Sequence, residues 1–151
     1  MKPLQFATLA LLATLVPVPA VVHGEPVATA AAGGDKATAR RNRIVFQVNE
    51  DGSRNWNAVL ANIDNVRAEL GQVDIAVVAI GSGLGMLKAD SLTANGVLDA
   101  MAAGVRFVAC GNTMKAQHLT RDDMIDGIDY ARAGYVEVMR LQQQGWAYVR
   151  P

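Results

Sequence analysis

The sequence contains one cysteine and two histidines in 151 residues. One cysteine closes no internal disulfide. With only His23 and His118 beside it, it supplies neither a cysteine-rich zinc site nor a multi-histidine metal centre. Net charge is missing as well, because 14 Lys and Arg balance 14 Asp and Glu. That balance removes the basic footprint of a nucleic-acid binder, so no nucleic-acid partner is expected. Aromatic residues make up only 5% of the chain. A membrane-spanning run is absent too. The apolar stretch at residues 4–16 (LQFATLALLATLV) gives about 20 Å of helix, against a hydrocarbon core of about 30 Å.

That stretch has a different use. It follows the basic start Met1-Lys2-Pro3, is broken by Pro17 and Pro19, and leads into small residues. This is the layout of a secretory signal peptide, cleaved after Ala20 or, by preference, after Gly24. An uncleaved N-terminal anchor is the alternative. Export places the mature protein in the periplasm or outside the cell, with no membrane attachment after cleavage. Residues 25–42 lack apolar periodicity, are rich in Ala, Gly and Thr, and end near Arg40 and Arg41. They read as a flexible linker with a solvated basic pair. The expected organisation is a signal peptide over residues 1–24, a linker over 25–42 and one folded domain over 43–151.

Within the domain, strands and helices alternate. Residues 44–48 (IVFQV), 73–80 (VDIAVVAI) and 105–109 (VRFVA) are β-branched, apolar runs of the kind buried in a parallel sheet. Shorter strands are predicted over 128–132 and 146–149. Between the first two strands, Ser53 is the expected N-cap of a helix whose stripe is Trp56, Val59, Leu60, Ile63, Val66 and Leu70, ended by Gly71. A second helix is expected over 93–103 with Val97, Leu98, Met101 and Ala102 inward. A short helical turn follows over 114–118, and Thr120 caps another, with Asp122 and Asp123 at its positive end. A last helix of about ten residues places Tyr135, Val138, Met139 and Gln142 on one face. The fold class is α/β: a three-layer α/β/α arrangement around a mainly parallel sheet of about five strands.

In such a sheet, ligands gather at the carboxyl ends of the strands. Three loops leave that edge: 49–52, the Gly-rich 81–85 and 110–113. Cys110 lies just past a strand end and before a helix start, where unpaired backbone amides favour a thiolate. Gly111 removes bulk beside the sulfur, Asn112 and Thr113 offer polar contacts, and Lys115 offers positive charge. The competing reading of Cys110 is a small buried apolar residue. Gly81 and Ser82 open a tight connection that lacks the Lys of a phosphate loop. With Asn49 and Asn112 they outline a candidate pocket. His118 reads as a surface residue at a helix end. Asp122, Asp123, Asp126 and Asp129 read as a solvated capping run, and Trp56 and Trp146 as core or subunit-interface residues.

Residues 105–113 (VRFVACGNT), together with the closing LQQQGWAYVRP of residues 141–151, resemble the DsrE/DsrF-like sulfur-relay family. The resemblance covers nearly all of residues 43–151. It implies the three-layer α/β/α fold, a homo-oligomer (trimer or hexamer), and a strand-end cysteine that carries sulfur as a persulfide, here Cys110. No metal or organic cofactor is implied, and the partners are a sulfur donor and acceptor, either a protein or a small thiol. The expected function is therefore an exported sulfur carrier or sulfurtransferase-like protein with an accessible thiol at Cys110. The alternatives are an oligomeric module that binds a small ligand or a protein through Asn49, Gly81, Ser82, Gly111, Asn112 and Thr113, or a thiol redox sensor.

Overall fold

The computed structural model describes residues 41–151. The proposed signal peptide, and the linker up to residue 40, lie outside the described residues. Five strands form one wholly parallel sheet in the order β4-β3-β2-β1-β5. They are β1 (Asn42–Val48), β2 (Val73–Ala79), β3 (Arg106–Cys110), β4 (Asp129–Ala131) and β5 (Ala147–Val149). The helices are α1 (Ser53–Leu70), α2 (Ala94–Ala102), α3 (Gly111–Ala116) and α4 (Gly134–Gln143). Strand β1 starts at Asn42, and Arg41 already pairs with Asp74 at 3.0 Å, so the sheet reaches slightly into the segment read as linker.

The strand order dictates the layering. From β1 to β4 each crossover steps the same way, whereas the last returns across the sheet to lie beside β1. Right-handed crossovers then put α1 to α3 on one face and α4 on the other. Alternation along the strands serves the two faces separately. Phe46, Val48, Val77 and Phe107 meet Trp56, Val59 and Ile63 of α1, Val97 of α2 and Met114 of α3. Val45, Ala76, Val78, Val108 and Cys110 meet Val138 and Leu141 of α4. Arg106 fixes α4 further, reaching Asp129 at 2.6 Å and Glu137 at 2.8 Å. Among the described residues, no helix is long and apolar enough to cross a membrane.

Several local expectations are corrected. Ser53 is the first helical residue of α1, and Gly52, with φ 97°, occupies the cap. The Gly-rich 81–85 turn is part of a 3-10 helix, Gly81–Leu87, that buries Leu84, Met86 and Leu87. Those three side chains give the segment a core anchor that its glycines conceal. Leu70, Leu98 and Ala102 face solvent instead of the core. Residues 111–113 are the first turn of α3, which ends at Ala116, and not a free turn before a helix. On α4 the buried stripe is Gly134, Val138 and Leu141, whereas Tyr135, Met139 and Gln142 point outward. The helix has apolar residues on both sides, and the sheet chooses between them. The cap at Thr120 is as expected: its amide and hydroxyl both donate to Asp123, at 2.7 and 2.8 Å.

One glycine ties the 3-10 segment to the sheet edge. The Gly83 amide donates to the Asn49 carbonyl at 3.0 Å. A Cβ at Gly83 would collide with the Val48 carbonyl, approaching its carbon to 2.6 Å. Because that obstacle is backbone, Gly83→Ala is expected to destabilise the fold by about 1–3 kcal/mol in urea unfolding. Unchanged stability would contradict this packing.

Candidate functional site

Cys110 is the last residue of β3 and not, as expected, the residue beyond it. Its side chain lies on the α4 side of the sheet, in the core with Val78, Ile80 and Val138. Helix α4 begins directly over it. The Gly134 amide, free because it opens the helix, donates to Cys110 Sγ at 3.2 Å. Only glycine permits that approach. A Cβ on residue 134 would stand 2.6 Å from Ile80 Cγ1 and 3.1 Å from Cys110 Cβ. The link between β4 and α4 is held down beside it by the Asn112 amide, which donates to the Arg132 carbonyl at 3.0 Å.

The sulfur is consequently covered. Cys110 is 3% exposed, so the accessible thiol expected from the sequence is not what this chain presents alone. Its electrostatics nevertheless favour the thiolate. Burial disfavours ionisation, but it is outweighed by hydrogen bonding from the Thr113 hydroxyl and by the backbone amides of Gly134, Thr113 and Asn112. The thiol is held below its ordinary value. A sulfur packed against apolar side chains yet met by the Gly134 amide is favoured toward its ionised form.

The polar residues form one strip along the carboxyl edge. The Gly81 amide donates to Thr113 Oγ1 at 3.1 Å, and Gln117 Nε2 donates to the Gly81 carbonyl at 3.1 Å. Ser82 Oγ donates to the Asn49 carbonyl at 2.8 Å. Asn49 Nδ2 donates to the Tyr135 hydroxyl at 2.8 Å. Gln47 Nε2 donates to Asn49 Oδ1 at 2.8 Å, and the Tyr148 hydroxyl donates to Gln47 Oε1 at 3.1 Å. Asn49, Gly81, Ser82 and Thr113 are thus linked across the ends of β1, β2 and β3. Asn112 joins from the β4 side, and Gly111 packs beneath the Ala131 and Arg132 carbonyls.

Five members were not anticipated: Gln47, Gln117, Gly134, Tyr148 and Tyr135, the last of which the sequence places only on one face of the final helix. Gln47 carried a signal: it is the polar residue in the run IVFQV, and a buried amide requires partners. Two other residues stand elsewhere. Lys115 lines a separate cleft, and His118 is exposed beyond α3 with φ 57°. Among the described residues, no three His, Cys, Asp or Glu side chains cluster as metal ligands.

Comparison with known proteins places this geometry in a family. The model of the DsrE/DsrF-like family matches residues 2–151. A solved protein of unknown function from Methanobacterium thermoautotrophicum, MTH1491, is 37% identical, covers 73% of this chain and 99% of its own, and superposes with a TM-score of 0.71. A conserved protein of unknown function from Bacteroides thetaiotaomicron, BT1422, is 13% identical over 73% of this chain and 95% of its own, with a TM-score of 0.61. The ychN protein from E. coli is 14% identical over 73% of this chain and 99% of its own, with a TM-score of 0.63. For these last two the likeness is one of fold. A search of curated proteins gave no match. By the match to the family model, and with a parallel five-stranded sheet that superposes on these structures, the chain belongs to the DsrE/DsrF-like family.

Proposed function

We propose that the protein is an exported sulfur carrier, or a sulfurtransferase-like protein, that holds sulfane sulfur as a persulfide on Cys110. The observation that carries this reading is the 3.2 Å contact from the Gly134 amide to Cys110 Sγ. In the transfer step the Cys110 thiolate attacks the terminal sulfur of a donor persulfide, R–S–S⁻. The donor S–S bond breaks, R–S⁻ leaves, and a new S–S bond on Cys110 carries the negative charge outward. Sulfur is passed from one thiolate to another without an external oxidant. Access requires the segment between β4 and α4, held by the Asn112–Arg132 bond, to move aside.

Export rests on the signal-peptide pattern of residues 1–24. Assembly into a homo-oligomer is supported by the outward face of α4, where Tyr135 is 59% and Met139 47% exposed, beside the half-exposed Tyr148 of β5. Light scattering should give three or six times the chain mass, reduced by Met139→Glu. A monomer would contradict assembly.

The burial of Cys110 favours a second reading, in which the sulfur is a core atom and the strip from Asn49 to Asn112 binds a small ligand or a protein. Intact mass under non-reducing conditions separates the two. After polysulfide treatment the carrier gains about 32 Da per sulfur, lost on reduction and absent in Cys110→Ser. No adduct, in a folded protein whose thiol also resists alkylation, overturns the carrier reading in favour of the second.

A further inference from the structure

Clefts elsewhere on this surface carry acidic side chains in their lining: Asp74 beside Arg41 and Arg43 in one, Asp51 and Asp90 beside Lys88 in another. The cleft between α3, the residues that follow it and β4 is different. It encloses about 560 Å³, within the range typical of small-molecule sites. Lys115, Arg121 and Arg132 line it, and no acidic side chain does. Among the described residues none of these three cations has a carboxylate partner. Two of the nearby acids are engaged elsewhere, Asp123 at the Thr120 cap and Asp129 by Arg106, and Asp122, which follows Arg121, is outside the lining. In a chain of zero net charge, three unneutralised cations around one concavity mark a local positive field.

The cleft also has an apolar side. Met114, Leu119 and Tyr130 line it, and Arg121 stacks over the Tyr130 ring at 4.4 Å. That stacking holds one guanidinium in place before any ligand arrives. Two guanidinium groups with an ammonium match the oxygens of a tetrahedral dianion, and the apolar wall matches a carbon body attached to it. We propose that this cleft binds a small organic molecule bearing a phosphate monoester dianion, with the anionic group on Lys115, Arg121 and Arg132 and the apolar body against Met114, Leu119 and Tyr130. The apolar wall is on the opposite face of the sheet from the sulfur, although Gly111 and Ala131 of the lining adjoin Cys110. Met114, Leu119 and Tyr130 belong to the α1-to-α3 side of the sheet and Cys110 to the α4 side.

Phenyl phosphate is the probe, titrated calorimetrically into the full chain at fixed ionic strength, with inorganic phosphate in parallel. Saturable one-site binding of phenyl phosphate is expected, tighter than that of inorganic phosphate. Arg132→Gln or Lys115→Gln should each weaken it by about tenfold, as loss of a charge-assisted hydrogen bond does. Arg67→Gln, on α1 away from the cleft, should leave it unchanged. Absence of saturable binding overturns the inference, as does binding that survives the combined Lys115→Gln and Arg132→Gln change. Inorganic phosphate binding as tightly as phenyl phosphate overturns the assignment of the apolar body.

Discussion

The start of α4 meets the end of β3 at a distance that glycine alone allows, and much of the site follows from that meeting. The Gly134 amide has no helical partner, so it must find another acceptor or remain unsatisfied in a buried place. It finds Cys110 Sγ at 3.2 Å. The contact satisfies the helix terminus, brings the positive end of the α4 dipole to the sulfur, and seals the sulfur from solvent. Activation and burial are therefore products of one packing event. A more open arrangement would expose the thiol but lose the amide that favours its ionised form.

The sheet is covered unequally. Among the described residues, one face is packed by α1, α2, α3 and the Gly81–Leu87 segment, and the other by the single helix α4. Burying Val138 and Leu141 contributes about 1.5–3 kcal/mol each. Along the strand ends of the second face, a hydrogen-bonded chain runs from Tyr148 through Gln47 and Asn49 to Tyr135. It joins β5, β1 and α4 with polar groups where an apolar contact would otherwise be needed. The outward residues of α4 lie next to this chain. An assembly formed through them would bear directly on the helix that covers Cys110.

Legibility in the sequence followed physical strength of signal. Long β-branched runs such as VDIAVVAI can bury both faces only in a central strand, so β1, β2 and β3 were plain, as was the stripe of α1 over Trp56, Val59 and Ile63. The placement of Cys110 at the carboxyl edge followed from strand and helix alternation. What stayed hidden depended on tertiary choice. Helix α4 offers two apolar stripes, and periodicity cannot decide between Tyr135 with Met139 and Val138 with Leu141. The 3-10 segment has glycines that favour no structure, and it forms because Leu84, Met86 and Leu87 find the core. The cover over Cys110 was invisible for the same reason: it comes from residue 134, which is distant in sequence and meets the sulfur only once β4 has paired with β3.

Cys110 is covered yet held toward its thiolate by Thr113 and by the amides of Gly134, Thr113 and Asn112. The direct measurement is the rate of iodoacetamide alkylation of the native protein as a function of pH. Only the thiolate reacts, so the rate rises with pH and levels off above the thiol's own pKa. Slow labelling through a rapid opening pre-equilibrium is expected, titrating below the ordinary thiol value of about 8.5, with Thr113→Val moving the midpoint upward. Titration at or above the ordinary value, with no response to Thr113→Val, would contradict it.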